Sequence, residues 1–127
     1  MIDKETEKKF LKAEKYRVNK EFEKAINIFN AILRQFPKLA PALHNLAICY
    51  TEQKKTEEAE KCYIKCLEIK PVSILSVNNL AKLYYNTGQF KKALPILEKS
   101  LIMREDQETV IEIFAQCLFE LNLTKAA

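Results

Sequence analysis

Hydrophobic and polar positions along this chain alternate in the manner of amphipathic helices, and the pattern repeats at a fixed interval. The residue numbers of Pro37 and Pro71 differ by 34, and the same interval joins three further columns of identical residues. The columns are Ala13, Ala47 and Ala81; Tyr16, Tyr50 and Tyr84; and Ala25, Ala59 and Ala93. Self-similarity at a period of roughly 20 to 50 residues is typical of repeat architectures. The pattern therefore predicts an array of similar helix pairs.

Seven helices are expected. Pro37 and Pro71 should end the second helix of their pairs, because proline lacks a donor and pushes its predecessor out of helical geometry. The alanine columns should mark the points where paired helices cross, since only a small side chain fits there. The predicted helices span residues 5–18, 22–35, 40–53, 56–69, 74–87, 90–103 and 107–121.

The turn inside each pair falls at one phase of the repeat. Gly88 occupies this phase in the third pair, where it can act as a left-handed cap. Lys20 and Lys54 occupy it in the first two pairs. If these lysines adopt positive φ, each turn loses about 1 kcal/mol relative to glycine.

The columns taken together resemble the tetratricopeptide repeat. In the second copy they are Leu43, Leu46, Ala47, Tyr50, Ala59, Tyr63 and Pro71. The resemblance implies an all-α fold, a right-handed α-α superhelix of three helix pairs plus a C-terminal helix. It also implies one domain over 1–127, with repeats at 6–39, 40–73 and 74–107. The first copy has Lys9 and Lys12 where large apolar residues are usual, which a solvent-facing first helix would explain.

The last helix, 107–121, continues the period but stops short of a fourth pair. Phe114 and Ala115 follow Leu80 and Ala81 by one full period, and Asn122 falls where Gly88 turned the previous pair. Two alternatives remain open: a capping helix, or the start of a longer array. Exposed apolar groups there would favour self-association through this helix or a missing segment. The additional apolar residues are Phe119, Leu121 and Leu123.

Residues of the concave groove follow from helical phase, since the first helix of each pair lines the inner wall of a superhelix. In the second pair the inner face should hold His44, Asn45 and Ile48. One period later it should hold Asn78, Asn79, Lys82 and Asn86. These seven residues are the candidate partner-binding site.

Asn45 and Asn79 lie one period apart and should stack on adjacent rungs of the inner wall. This arrangement resembles the asparagine ladder in the repeats of the O-linked N-acetylglucosamine transferase, which binds the backbone of an extended peptide. A carboxamide can accept from a peptide N–H and donate to a C=O, so such binding is largely independent of sequence. The alternative is that asparagine is merely common at this phase. Leu11 and Ile113 occupy the outer rungs.

A second resemblance can be tested residue by residue. Tetratricopeptide cochaperones that bind the acidic tails of heat-shock chaperones use a carboxylate clamp of two Lys, one Arg and two Asn. At the corresponding phases this chain has Phe10, Glu14, Asn45, Leu75 and Asn79. Without the cations a terminal carboxylate loses its charge-assisted partners, and Glu14 would repel it. The clamp is therefore not expected here.

Composition and charge narrow the classes further. One glycine leaves little for β-turns, which favours helices. The net charge of +4 comes from lysines mixed with glutamates, which is typical of a solvated surface rather than a nucleic-acid site. No run approaches the roughly 20 apolar residues that span a bilayer, so we expect no membrane partner and a cytoplasmic location.

Candidate chemistry is sparse. The cysteines Cys49, Cys62, Cys66 and Cys117 fall inside predicted helices and should be reduced core residues. Cys62 and Cys66 have suitable spacing for two metal ligands, whereas structural zinc needs four. His44, the only histidine, has no companion nucleophile and acid at readable spacing. We therefore expect no metal, no cofactor and no catalysis.

The sequence as a whole favours a non-catalytic interaction scaffold that binds a peptide or helix of a partner protein in its concave groove. The alternative is a substrate-recruiting segment of a larger enzyme, such as a glycosyltransferase. Fold-level analogy alone supports that alternative.

Overall fold

The computed structural model describes the backbone of residues 2–126 and the side chains of residues 2–122. Within these residues there are seven α-helices and no strand, which confirms the all-α prediction. The first six helices lie within one residue of their predicted bounds. The helices are α1 (Lys4–Val18), α2 (Phe22–Gln35), α3 (Ala40–Glu52), α4 (Thr56–Ile69), α5 (Ile74–Asn86), α6 (Phe90–Met103) and α7 (Glu108–Ala126).

The helices form two compact units, of which the first ends at Pro71 and the second begins at Val72. In the first unit α1 packs on α2, α2 on α3 and α3 on α4, and α1 also touches α3. In the second unit α5 packs on α6 and α6 on α7, and α5 also touches α7. The single domain over 1–127 remains a prediction. No helix within residues 2–126 is long and apolar enough to cross a membrane.

The repeat columns form the core of each pair. All six alanines of the two alanine columns are buried. Four residues after the alanine of each second helix lies a large side chain that is also buried, namely Phe29, Tyr63 or Leu97. Small residues at the crossing and large residues one turn later allow the two helices to approach closely without leaving voids. The spacing in the sequence thus becomes the packing of each pair.

The prolines end their helices as predicted. α2 ends two residues before Pro37, and the N–H of Phe36 donates to the Ile32 carbonyl at 2.8 Å. α4 ends two residues before Pro71, and the N–H of Lys70 donates to the Cys66 carbonyl at 2.8 Å. Proline does not continue the helix, so the backbone leaves the helical path at the same point in both pairs.

The third pair has Glu105 in place of the proline, and the Gln107 side chain takes over part of its role. Gln107 Nε2 donates to the Ser100 carbonyl at 3.0 Å and to the Arg104 carbonyl at 2.7 Å. The Ser100 carbonyl also accepts from the Arg104 N–H at 2.9 Å, so Gln107 adds a second donor there and supplies a donor to the Arg104 carbonyl. The residue that precedes α7 thus caps the end of α6 with its side chain.

The three turns inside the pairs share one geometry. Lys20 and Lys54 have φ of 65° and 61°, and Gly88 has φ of 75°. In the first turn the N–H of Glu21 donates to the Tyr16 carbonyl at 2.8 Å, and the equivalent bond recurs in the other two turns. The predicted left-handed turns are confirmed. The two lysines carry the backbone strain of about 1 kcal/mol that glycine avoids.

The prediction for the end of α7 was wrong. We expected the helix to stop at about residue 121, with Asn122 at the phase where Gly88 turns, but the backbone remains helical to Ala126. Asparagine is tolerated inside helices, and no glycine or proline interrupts this stretch. The repeat phase alone therefore does not make Asn122 a turn residue.

Candidate functional site

Three of the predicted site residues lie on α3 in the first unit. His44, Asn45 and Ile48 are all half-buried. The neighbouring first helix α1, which touches α3, contributes Glu14 and Arg17 to the surroundings of His44. We call these five residues the α1–α3 face. It brings together the three α3 residues as predicted and adds an ion pair from α1.

Arg17 is the functional candidate that the sequence analysis missed. Its guanidinium binds the Glu14 carboxylate in a bidentate manner, with Nε to Oε1 at 2.9 Å and Nη2 to Oε2 at 3.1 Å. Both side chains are about a quarter exposed, and the hydrogen bond raises the pKa of Arg17. The sequence contained one signal for Arg17. Glu14 lies one period before the predicted site residue Ile48, and Arg17 follows Glu14 by one helical turn. The pair makes this side of the face neutral overall.

His44 is turned partly into its own helix pair. Its ring makes an edge contact with Tyr63 of α4, with ring centroids 5.9 Å apart and planes at 67°. Burial lowers the pKa of His44 and the nearby Arg17 lowers it further, while Glu14 partly opposes them. Burial therefore disfavours the charged imidazolium, because that form would be poorly solvated. The half-buried ring can offer a partner a contact surface.

Burial disfavours the thiolate form of two cysteines. It raises the pKa of Cys49 to about 11, although Arg17 partly lowers it. Burial also raises the pKa of Cys62 to about 11. These two thiols are therefore poor nucleophiles. All four cysteines are buried, which confirms the prediction that they are core residues. Among the described residues no group of three or more His, Cys, Asp and Glu side chains could hold a metal ion.

The second unit has a cleft of about 430 Å³ beside the start of α7. Two predicted site residues on α5, Asn78 and Lys82, come together there. The remaining lining residues follow one another in sequence, from the loop after α6 into α7, and they are not among the predicted site residues. They are Asp106, Gln107, Glu108, Thr109 and Val110. We call this the α5–α7 cleft, and its polar side chains carry both signs of charge.

Asn78 reaches this cleft with its carboxamide already bound. Its Nδ2 donates to Gln107 Oε1 at 2.8 Å, and its Oδ1 accepts a hydrogen bond from the Ser100 hydroxyl. Gln107 caps the end of α6, so Asn78 holds that side chain in place. The repeat phase did not indicate that the Asn78 amide is occupied, and its role in a partner site stays a prediction.

The other asparagines differ from Asn78 in this respect. Asn45 and Asn79 are half-buried and Asn86 is exposed, on α3 and α5. Within the described residues, none of these three carboxamides makes a hydrogen bond. A half-buried amide without a partner retains its full capacity to accept and donate, at a position where water competes less than at an open surface. Asn45 in the first unit and Asn79 in the second unit each keep an unbound carboxamide at a half-buried position.

A larger hollow, about 510 Å³ in volume, lies at the end of α2 and contains none of the predicted site residues. It is lined by Ile2, Gln35, Phe36, Pro37, Lys38 and Leu39. Among these lining residues Lys38 is the one titratable side chain, so this hollow offers shape and apolar surface but no arrangement of reactive groups. We therefore keep the α1–α3 face and the α5–α7 cleft as the candidate sites.

Comparison with known proteins identifies the repeats. Residues 40–71 and residues 74–106 each match the tetratricopeptide repeat family. This chain belongs to that family. The tetratricopeptide repeat domain of Sgt2 from Aspergillus fumigatus matches with a TM-score of 0.85 and 16% identity, over 98% of this chain and 84% of that one. The prediction of a tetratricopeptide fold with three helix pairs and a C-terminal helix is thereby confirmed.

Two further matches come from proteins with named binding partners. The first tetratricopeptide domain of Spaghetti (RPAP3), solved with the HSP90 peptide SRMEEVD, matches with a TM-score of 0.86 and 15% identity, over 95% of this chain and 97% of that one. At such identity the likeness shows the fold alone. The peroxisomal targeting signal receptor of Candida albicans is 31% identical over 90 residues, which are 71% of this chain but 15% of the receptor. This chain thus spans a small part of that relative.

Proposed function

We propose that this tetratricopeptide chain is a non-catalytic scaffold that binds a peptide or helix of a partner protein. The observation that carries the proposal is the state of Asn45 and Asn79, which are half-buried with carboxamides that bind nothing within the described residues. Each carboxamide can accept from a backbone N–H and donate to a backbone C=O of a bound segment. The other predicted residues, His44, Ile48, Asn78, Lys82 and Asn86, would supply selectivity.

The charges favour recognition of the partner's backbone over recognition of a terminal carboxylate. Arg17 is close enough to act electrostatically on His44, and the Glu14 carboxylate already occupies one bidentate edge of its guanidinium. Glu14 neutralises the Arg17 charge and takes two of its N–H donors, so Arg17 attracts a terminal carboxylate less than an unpaired arginine would. Lys82 in the α5–α7 cleft lies beside the carboxylates of Asp106 and Glu108. The partner segment is therefore proposed to be internal to its protein rather than an acidic tail.

The relatives support a binding role. One is named a receptor, and one solved neighbour holds a peptide. The finer likeness, to the asparagine ladder of the O-linked N-acetylglucosamine transferase, depends on Asn45 and Asn79 alone. We also propose a cytoplasmic location, because the four cysteines are buried inside helices and do not form the disulfide framework of a secreted domain.

A peptide array tests this proposal directly. Peptides of varied sequence would be probed in two forms, one with both ends blocked and one with a free C-terminal carboxylate. We expect the blocked peptides to bind as well as the free ones. The double substitution Asn45→Ala and Asn79→Ala should weaken binding by about tenfold or more, as expected when two or more hydrogen bonds to the partner are lost.

The matched control is Asn27→Ala with Asn30→Ala, which removes two carboxamides from the second helix α2. This variant should bind like the unmodified protein, and circular dichroism should show the same helix content in all three proteins. Binding that requires the free carboxylate would contradict backbone recognition. Equal binding by the two double variants would remove Asn45 and Asn79 from the site.

A further inference from the structure

The first helix of each pair has two buried stripes, one against the preceding pair and one against the second helix of its own pair. In α1 and α7 only one of the two stripes is covered, so each can be identified by itself. α7 packs on the preceding helix α6, and its fully covered residues are Val110 and Cys117. α1 packs on the following helix α2, and the apolar residue it buries completely is Ala13. The stripe of Val110 and Cys117 therefore contacts the preceding pair. The stripe of Ala13, which includes Ala81 in α5 and Ala115 in α7, contacts the second helix of the same pair.

In α7 this second stripe is uncovered. Ile111, Leu118 and the adjacent Phe119 are 46%, 42% and 56% exposed, and Ala115 between them is also exposed. One period earlier, in α5, Val77, Ala81 and Tyr84 are buried and Tyr85, the equivalent of Phe119, is half-buried. We call Ile111, Ala115, Leu118 and Phe119 the α7 face. It has the composition of a helix-pairing surface, and none of the described helices covers it.

The α7 face also carries the signature of a second helix. In each pair the second helix has an alanine followed four residues later by a large apolar residue, as in Ala25 and Phe29. Ala115 and Phe119 reproduce this spacing. One helix thus has both halves of the complementary pattern that joins α1 to α2. A surface that matches itself is what a two-fold symmetric interface requires.

From this pattern we infer that α7 pairs with α7 of a second copy of this protein, antiparallel and crossing at Ala115. This register places Ile111 opposite Phe119 of the second copy, so apolar groups meet on both sides of the crossing. Short turns make the two helices of each pair antiparallel, so the same geometry already occurs three times among the described helices. The inference concerns self-association and goes beyond the binding of a partner segment.

The charges of α7 select the antiparallel arrangement. Its described carboxylates are those of Glu108, Glu112 and Glu120. In the antiparallel register Glu108 lies opposite Asn122 of the second copy, whose carboxamide can donate to it, and Glu112 lies opposite Leu118. A parallel pairing would place each glutamate beside its own copy, and like charges in contact are unfavourable. The antiparallel dimer therefore has no opposed carboxylates among the described residues.

Sedimentation velocity of the 127-residue protein tests the inference. The interface is one helix from each copy, which is small for a specific complex, so we expect a dissociation constant of roughly 10–100 µM. The change Ile111→Glu introduces two carboxylates per dimer and should raise this constant at least about tenfold. Ile102→Glu is the matched control, since Ile102 is 86% exposed on α6 outside the α7 face. It should leave the constant unchanged.

A cysteine variant supplies a second measurement that does not depend on weakening the fold. Ala115→Cys places a thiol at the two-fold axis, where two copies come within reach of a disulfide bond, whereas the natural cysteines are buried. Mild oxidation with a copper catalyst and oxygen should give a linked dimer much faster than for Ile102→Cys. A protein that stays monomeric throughout this concentration range would overturn the inference. So would equal linking rates, or a dimer that Ile111→Glu and Ile102→Glu weaken alike.

Discussion

In the structure, α1 and α7 each lack a neighbouring helix that α3 and α5 have. The uncovered side of α1 is charged, whereas the uncovered side of α7 is apolar. In α3 the stripe that packs on the preceding pair is Ala42, Leu46 and Cys49, all buried. One period earlier α1 has Lys8, Lys12 and Lys15 at these positions, all exposed. On α7 the uncovered stripe is the one for its own second helix, and it remains apolar.

The difference shows how one repeat pattern can present two kinds of uncovered surface. Lysines on the uncovered side of α1 keep their charges in water, so a second molecule gains nothing by packing there. On α7 the uncovered side still offers apolar area whose burial is favourable. Two helices that occupy the same role in the repeat therefore differ in what they can bind.

Leucine substitutions in the alanine column should differ most in their effect on stability between α5 and α7. Ala81→Leu forces a much larger side chain into a closed crossing and should lower the free energy of unfolding by about 2–3 kcal/mol. Ala115→Leu lies on the uncovered α7 face and should change it by less than about 0.5 kcal/mol. Urea unfolding at low protein concentration measures both. Similar losses would mean that Ala115 is covered after all.

The second prediction concerns how the start of α7 is held. Gln107→Ala removes the donor to the Ser100 and Arg104 carbonyls and the acceptor of Asn78, and should cost about 1–2 kcal/mol. Gln116→Ala is the matched control, because Gln116 bonds to Glu120 on the same helix and should cost less than about 0.5 kcal/mol. Thermal unfolding followed by circular dichroism compares them. A stable Gln107→Ala protein would show that packing on α6 alone fixes α7.

Glycine substitutions at the turn position of the repeat should have opposite effects on stability after α1 and within α7. Lys20 follows the first helix at positive φ, so Lys20→Gly should stabilise the protein by about 0.5–1 kcal/mol. Asn122 has the same phase but lies inside α7, so Asn122→Gly should destabilise it by about 0.5 kcal/mol. Urea midpoints give the two signs. The same sign for both would contradict the different backbone at these positions.

The smallest expected change in stability comes from making α1 resemble α3. Lys12→Leu restores the residue type of Leu46 at an exposed site and should shift the free energy of unfolding by less than about 0.5 kcal/mol. Its effect should appear instead as association through α1, measured by light scattering against concentration. Lys91→Leu, on the exposed side of α6, is the control. If both variants associate equally, lysine position does not matter.

Much of the fold was predictable because the residues that end helices and form turns recur with the repeat period. Pro37 and Pro71 end helices wherever they occur, and the positive φ of Lys20 and Lys54 followed from the phase of Gly88 alone. The end of α7 was not predictable in this way. Phase indicates where a turn belongs if a second helix follows, whereas the continuation of a helix depends on the local residues.

The contacts of the candidate site were not predictable from the sequence. Helical phase groups Asn45 and Ile48 on one side of α3, and their role in a partner site stays a prediction. It could not show that Asn78 is bound by Gln107, because these residues are 29 positions apart and meet only through packing. Nor could it show the half-buried ring of His44 against Tyr63. Such contacts depend on how helices pack, and the pattern of one sequence does not contain them.

Nuclear magnetic resonance can show whether a partner segment binds to the side-chain amides of Asn45 and Asn79. Protein labelled with ¹⁵N would be titrated with the best blocked peptide from the array, and the amide signals of the asparagine side chains would be followed. We expect the signals of Asn45 and Asn79 to shift while that of Asn27 on α2 does not. Shifts at Asn27, or shifts limited to α7 with Asn45 and Asn79 unchanged, would contradict it.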